Sequence, residues 1–124
     1  MVGGQSRGSH VLLDYRNYSS TEENDGRWML HLIRECVRES GIREVHSHVE
    51  IFDGGLSPPG FAAVVLIDES HVTAHCYSEI GLLAIDVFTC GDHDPDGVAE
   101  LIHERLISGD ASIVLDKRQR VDRF

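Results

Sequence analysis

The sequence predicts an α+β fold, a two-layer sandwich in which an antiparallel sheet carries two helices on one face. Three observations lead there. Two stretches place apolar residues at helical spacing and have recognisable starts or stops. About six short apolar or alternating runs follow one another closely, as neighbouring strands of an antiparallel sheet do. Finally, no internal repeat and no long linker divides the 124 residues, so residues 1–124 are expected to form a single domain with one core.

In chain order, Met1 to Ser9 is a glycine- and serine-rich lead-in, and His10 to Tyr15 reads as the first strand. Arg16 to Asn24 is a polar loop. From Asp25 to Ser40, Trp28, Leu32, Ile33, Cys36 and Val37 recur on one helical face and Gly41 stops the run, which puts Trp28 in the core. Val45 to Phe52 alternates as a half-buried strand, and Asp53 to Gly60 is a turn-forming stretch of glycine and proline. Phe61 to Ile67, Val72 to Tyr77 and Leu82 to Thr89 read as strands. Asp94 caps a helix with Pro95 at its first position, running to about Ile107. Ala111 to Leu115 is the closing strand, ahead of a polar, arginine-rich end.

Composition excludes several functions. The net charge of −10 leaves no basic patch to neutralise phosphates, so a nucleic-acid partner is not expected, whereas a small cationic substrate of amino-acid type suits an acidic protein. Lys117 is the only lysine and sits in the arginine-rich end, which argues against a pyridoxal-phosphate Schiff base. Cys36, Cys76 and Cys90 are odd in number and contain no C-x-x-C pair, so a reducing compartment is expected. With no membrane-length apolar run and no signal-peptide pattern, the expected location is cytoplasmic.

The chemistry concentrates in Glu69-Ser70-His71, with His75 five residues after the serine and Cys90 twenty after it. A serine hydroxyl held against the preceding carbonyl can convert the peptide bond to an ester, given strain and a proton acceptor. Loss of the serine α-proton then releases the Glu69 carboxylate, and hydrolysis leaves a pyruvoyl ketone at position 70. Imidazole titrates near neutrality, which makes His75 a candidate for that proton transfer. A pyruvoyl ketone can condense with a substrate amine and take up the electrons of a decarboxylation, and Cys90 could return the proton. If the protein is a decarboxylase, its cofactor is therefore the pyruvoyl group derived from Ser70.

The run ESHVTAHCYSEIGLLAIDVFTCGD, Glu69 to Asp92, resembles the short bacterial and archaeal type of S-adenosylmethionine decarboxylase, whose pattern is close to ESHxxxHTWPEYGxxAVDVFTCG. Weaker likeness spans most of the chain. The resemblance implies Ser70 as pyruvoyl precursor, His75 as processing aid and Cys90 as proton donor. It also implies cleavage into a β chain of 1–69 and an α chain of 70–124, and a homodimer of cleaved αβ protomers paired through their sheets. Tyr77, Glu79 and Leu56 occupy positions that would meet substrate. The chain departs from the pattern at Cys76-Tyr77-Ser78, at Leu56 in place of an aromatic, and at Ala62, eight residues before Ser70, where a serine or threonine is usual. Ser57 and Ser78 are possible stand-ins.

Each residue also has a plainer reading. Cys90 ends an apolar strand, where cysteine is commonly a small buried hydrophobe, and Cys36 reads as helix core. Asp86 within an apolar strand needs a partner, structural or in a pocket. His46, His48, Glu50 and Asp92-His93-Asp94 offer ligand types without zinc spacing, so no metal is assigned. Two alternatives to S-adenosylmethionine decarboxylation remain open on sequence. One is a pyruvoyl-dependent arginine or ornithine decarboxylase, and the other an uncleaved homologue acting as a binding or regulatory subunit.

Overall fold

The structure, a computed structural model, describes residues 7–124. Six strands and two helices follow the order β1 (Gly8–Arg16), α1 (Asp25–Glu39), β2 (Glu44–Phe52), β3 (Gly60–Ile67), β4 (Ser70–Tyr77), β5 (Leu82–Cys90), α2 (Pro95–Gly109) and β6 (Val114–Arg123). They form one sheet of order β2-β3-β4-β5-β1-β6, and every neighbouring pair is antiparallel. Both helices pack on one face, α1 over β2 and β3, and α2 over β1 and β5. The expected α+β sandwich is therefore the observed one.

Alternation builds the core. Val11, Leu13, Ala63, Val65, Val72, Ala74, Ile85 and Val87 all point to the helix side and are buried, against Met29, Ile33, Cys36, Val37 and Ile102 from the helices. Asn24 caps α1 by accepting the Arg27 N–H, and Asp94 caps α2 by accepting the Asp96 N–H, each satisfying an orphan donor of the first turn. Tyr15 Oη lies 2.8 Å from His103 Nδ1, and the two rings stack, which pins α2 to β1. Arg118 bridges Asp96 and Glu100, and Arg120 pairs with Asp96, tying the start of α2 to β6.

The structure revises several boundaries. The closing strand is not Ala111 to Leu115 but Val114–Arg123, paired with β1 along its whole length, so the arginine-rich end is a sheet edge. β1 begins at Gly8, inside the stretch expected as lead-in, while residues 1–6 of that stretch lie outside the described residues. β4 begins at Ser70 rather than Val72, and Trp28 is half-buried beside the core, its place taken by Met29. β2 is the other edge and is mostly exposed, because only one strand neighbours it. Gly60 is required at the start of β3: a Cβ there would sit 1.9 Å from the Cys76 carbonyl oxygen. That close approach carries the Pro58-Pro59 turn against β4, where Ser78 N–H donates to the Pro59 carbonyl.

Candidate active site

β3 and β4 are joined by a two-residue turn, since Ile67 pairs with Ser70 and only Asp68 and Glu69 lie between. Glu69 takes φ +56°, the left-handed region that a residue with a Cβ enters at a cost of roughly 1–3 kcal/mol. The turn is held on its outer side by Arg43, whose guanidinium donates to Asp68 Oδ1 at 2.6 Å. Strain is thus stored in the residue whose carbonyl begins the Glu69–Ser70 bond. Ser70 is 8 % exposed, and its Oγ accepts the Cys90 backbone N–H at 2.9 Å. The structure brings the Ser70 hydroxyl to the Cys90 backbone, while the Cys90 side chain, alternating with buried Thr89, lies on the opposite face of the sheet.

His75 is elsewhere. Along β4, Ser70, Val72, Ala74 and Cys76 face the helices, while His71, Thr73, His75 and Tyr77 face the opposite, helix-free side of the sheet. Five residues of strand separate Ser70 from His75, about 17 Å at 3.3 Å each. Within one chain they do not meet. Ala62 lies directly across the ladder from His75. A cavity of about 330 Å³ holds both, lined also by Phe52, Ser57, Pro58, Phe61, Cys76 and Tyr77. Ser57, but not Ser78, therefore stands beside the position where a hydroxyl is missing; the Ser78 Oγ lies 4.0 Å from Cys76 Sγ instead.

Tyr77 lines this cavity, whereas Leu56 at the tip of the 53–59 loop is fully exposed and Glu79 is exposed in the β4–β5 turn, outside it. Phe52 is the residue the sequence reading missed. The available signal was parity: on β2 it shares a face with His46, His48 and Glu50, the side that β3 presents through Ala62. It supplies an aromatic surface where Leu56 supplies none.

At the Ser70 end, the open face carries a cluster of rings. His71, Phe88 and His10 stand in one cross-strand row, with His71 tilted on Phe88 at 5.4 Å and His10 edge-on to both. Asp86 accepts the Thr73 hydroxyl at 3.1 Å and lies 3.6 Å from His10 Nε2, so the partner it needs within an apolar strand is polar and local. Burial pushes the His71 pKa down, the neighbouring His10 adds to this, and Asp86 opposes it. Burial likewise pushes the Cys36 and Cys76 thiols up to about 11, which keeps both protonated at neutral pH. His46, His48 and Glu50 lie along the exposed β2 edge, and Asp92, His93 and Asp94 form the turn into α2.

A model of the S-adenosylmethionine decarboxylase family matches residues 9–119, nearly the whole described chain. The chain belongs to this family. S-adenosylmethionine decarboxylase proenzyme from Clostridium tetani is 37% identical over 102 residues, covering 80% of this chain and 76% of that protein. S-adenosylmethionine decarboxylase proenzyme 1 of Bacillus anthracis is 36% identical, with 80% and 74% covered. Among solved structures, the adenosylmethionine decarboxylase of Aquifex aeolicus superposes with a TM-score of 0.70 at 26% identity, covering 96% of this chain and 92% of that one. The two-layer architecture is thus that of the S-adenosylmethionine decarboxylase family, and no helix among the described residues is long and apolar enough to cross a membrane.

Proposed function

We propose that this protein is a self-processing decarboxylase of S-adenosylmethionine, cleaving itself between Glu69 and Ser70 to make a pyruvoyl group. The observation that carries the reading is the turn itself. Glu69 is strained at φ +56°, and Ser70 Oγ is fixed by the Cys90 N–H at the next bond. Attack of that oxygen on the Glu69 carbonyl carbon breaks the C–N bond, relieves the strained turn and leaves an ester. The residues present fit a pyruvoyl group at position 70, because the hydroxyl oxygen leaves with the Glu69 carboxylate while the β4–β5 ladder, with His71 paired to Phe88, still holds position 70 beside the Cys90 end of β5. The ketone supplies an electron sink for the bond that releases carbon dioxide. Cys90 holds a proton at Sγ for the carbon left behind.

Substrate choice rests on the cavity around His75. Phe52, Phe61, Pro58 and Tyr77 give it apolar and aromatic walls suited to a nucleoside, and no carboxylate lines it to receive a guanidinium or a terminal ammonium. Arginine and ornithine are disfavoured on that ground. The reaction would yield the aminopropyl donor for spermidine synthesis.

A second copy would bridge the separation of Ser70 from His75. The helix-free face leaves Leu66, Tyr77, Leu82 and Val121 exposed along with His75, an apolar surface that pairing would cover. A two-fold pairing of these faces sets the Ser70 end of one protomer over the partner's His75. Each of the two sites then takes Ser70 and Cys90 from one protomer and the His75 cavity from the other. The test is to offer labelled S-adenosylmethionine, arginine and ornithine separately to wild type, and then to co-express His75→Ala with Cys90→Ala. Decarboxylation of S-adenosylmethionine alone supports the reading. Two inactive variants that together recover about a quarter of wild-type turnover support shared sites, since half the dimers then hold one intact site. No recovery, with mixed dimers present, would mean that His75 works within its own chain.

A further inference from the structure

The row of residues across the sheet at the Ser70 end contains a cation that none of the chemistry above uses. In the β5–β1–β6 ladders Cys90 pairs with Gly8 and Gly8 with Arg123, so these three stand side by side. Gly8 contributes no side chain between the other two. A Cβ there would come within 3.1 Å of the Phe88 ring, which leans into the space. The Arg123 guanidinium carbon lies 5.9 Å from the centre of that ring and 5.6 Å from that of Phe124. Arg123 therefore lies over Phe88, on the side of the sheet that Cys90 shares, while remaining exposed to solvent.

Its ionic state also sets it apart from its neighbours. Of the arginines on β1 and β6, Arg16, Arg118 and Arg120 pair with carboxylates, whereas Arg123 makes no salt bridge among the described residues. At this end of the sheet the open face otherwise presents His10, His71 and Asp86, and Asp86 is already engaged by Thr73. A guanidinium is charged at every working pH and offers a planar fork that matches a carboxylate. In a chain of net charge −10, an incoming carboxylate needs such a local counter-charge. Lys117 cannot serve, since it lies opposite Asp14 at the far end of the same strand pair.

We propose that Arg123 binds the carboxylate of the amino-acid substrate and orients the bond to be broken above Cys90, an inference that rests on the decarboxylase reading. The substrate carries its amine and its carboxylate on the same carbon, so an amine directed to position 70 places the carboxylate next to Cys90. Two strand spacings, about 10 Å, separate the Cys90 and Arg123 backbones, and the arginine stem over Phe88 spans most of that distance. Fixing the carboxylate in this way contributes orientation. Arg123 lies on the edge strand β6, beyond residue 119 where the match to the family model ends.

The experiment compares two ligands that differ only by the carboxylate: S-adenosylmethionine and its decarboxylated form. Processed protein is treated with borohydride, which reduces the ketone to an alcohol and stops turnover, and binding is measured by calorimetry. Arg123→Gln should self-cleave normally and bind S-adenosylmethionine about tenfold to a hundredfold more weakly, the loss expected for a charge-assisted pair. Its affinity for the decarboxylated ligand should stay within about twofold. Arg123→Lys should fall between the two proteins. Equal weakening of both ligands, no weakening of either, or the same effect from Lys117→Gln would overturn the assignment. Wild type that binds neither ligand would instead overturn the substrate reading, and the assignment with it.

Discussion

Ala62 faces His75 directly across the β3–β4 ladder, in the wall of an aromatic cavity and about 17 Å of strand from the serine that the histidine is proposed to assist. Ser57 lines the same wall. If a hydroxyl beside His75 assists cleavage in the facing protomer, Ala62→Ser should accelerate conversion of precursor to two chains, followed by denaturing electrophoresis over time. An unchanged rate in Ala62→Ser, together with a slowed one in Ser57→Ala, would show that Ser57 already fills the role.

Wild-type protein should separate under denaturing conditions into pieces ending at Glu69 and beginning at a blocked residue 70, while Ser70→Ala stays at its full 13.8 kDa mass. Intact-mass measurement decides it. A wild-type chain still whole after prolonged incubation would return the uncleaved-homologue reading to first place.

Cys90→Ala should still cleave, because its backbone N–H and not its thiol holds Ser70 Oγ. Turnover should fall by about a hundredfold to ten-thousandfold, the usual cost of removing a positioned general acid. Misdirected protonation should then leave alanine at position 70, which mass spectrometry of the α chain would detect. Near-normal turnover would remove Cys90 from the mechanism.

The thiols should also differ in reactivity. Cys36 and Cys76 are buried and held protonated by pKa values of about 11, whereas Cys90 is only half-buried. Iodoacetamide at neutral pH should label Cys90 first, as peptide mapping would reveal. Earlier labelling of Cys76 would show that the cavity beside it opens more readily than its 5 % exposure implies.

His71 has a pH signature of its own. Its pKa is lowered in the folded protein, so the unfolded chain takes up this proton first as pH falls. The stability that His71 contributes is complete above its ordinary value of 6.5 and is lost as pH drops toward the depressed one. Between about pH 7.5 and pH 5 the wild type should therefore lose more melting temperature than His71→Phe, which keeps the ring contact with Phe88 but cannot titrate. Parallel losses in the two proteins would refute it.

Most of the fold could be read from the sequence because alternation and helical spacing are strong where one face is buried. β3, β4 and β5 announce themselves through Val65, Val72, Ile85 and their neighbours. β6 did not, since an edge strand that buries little keeps no apolar alternation, and Lys117-Arg118-Gln119-Arg120 reads as solvated chain until β1 is placed beside it. The same limit governs the site. Glu69, Ser70 and Cys90 were legible as a motif, yet the left-handed turn at Glu69 has no glycine or asparagine to signal it. Phe52 and Arg123 were hidden because their relevance depends on register across strands distant in sequence.

The strand order gives self-cleavage an unusual topology. A cut at the β3–β4 turn would assign β1, β2 and β3 to one piece and β4, β5 and β6 to the other, yet β1 is seated between β5 and β6. The pieces would be interlocked rather than merely adjacent. Neither could peel away from one side, since separation must break the β3–β4, β5–β1 and β1–β6 ladders. Once apart, they could reassemble only by bimolecular encounter, with the sheet's second-last strand threaded between two others. Folding before the cut is then an irreversible assembly step, and the mature protein would persist through slow unfolding and not through ready refolding.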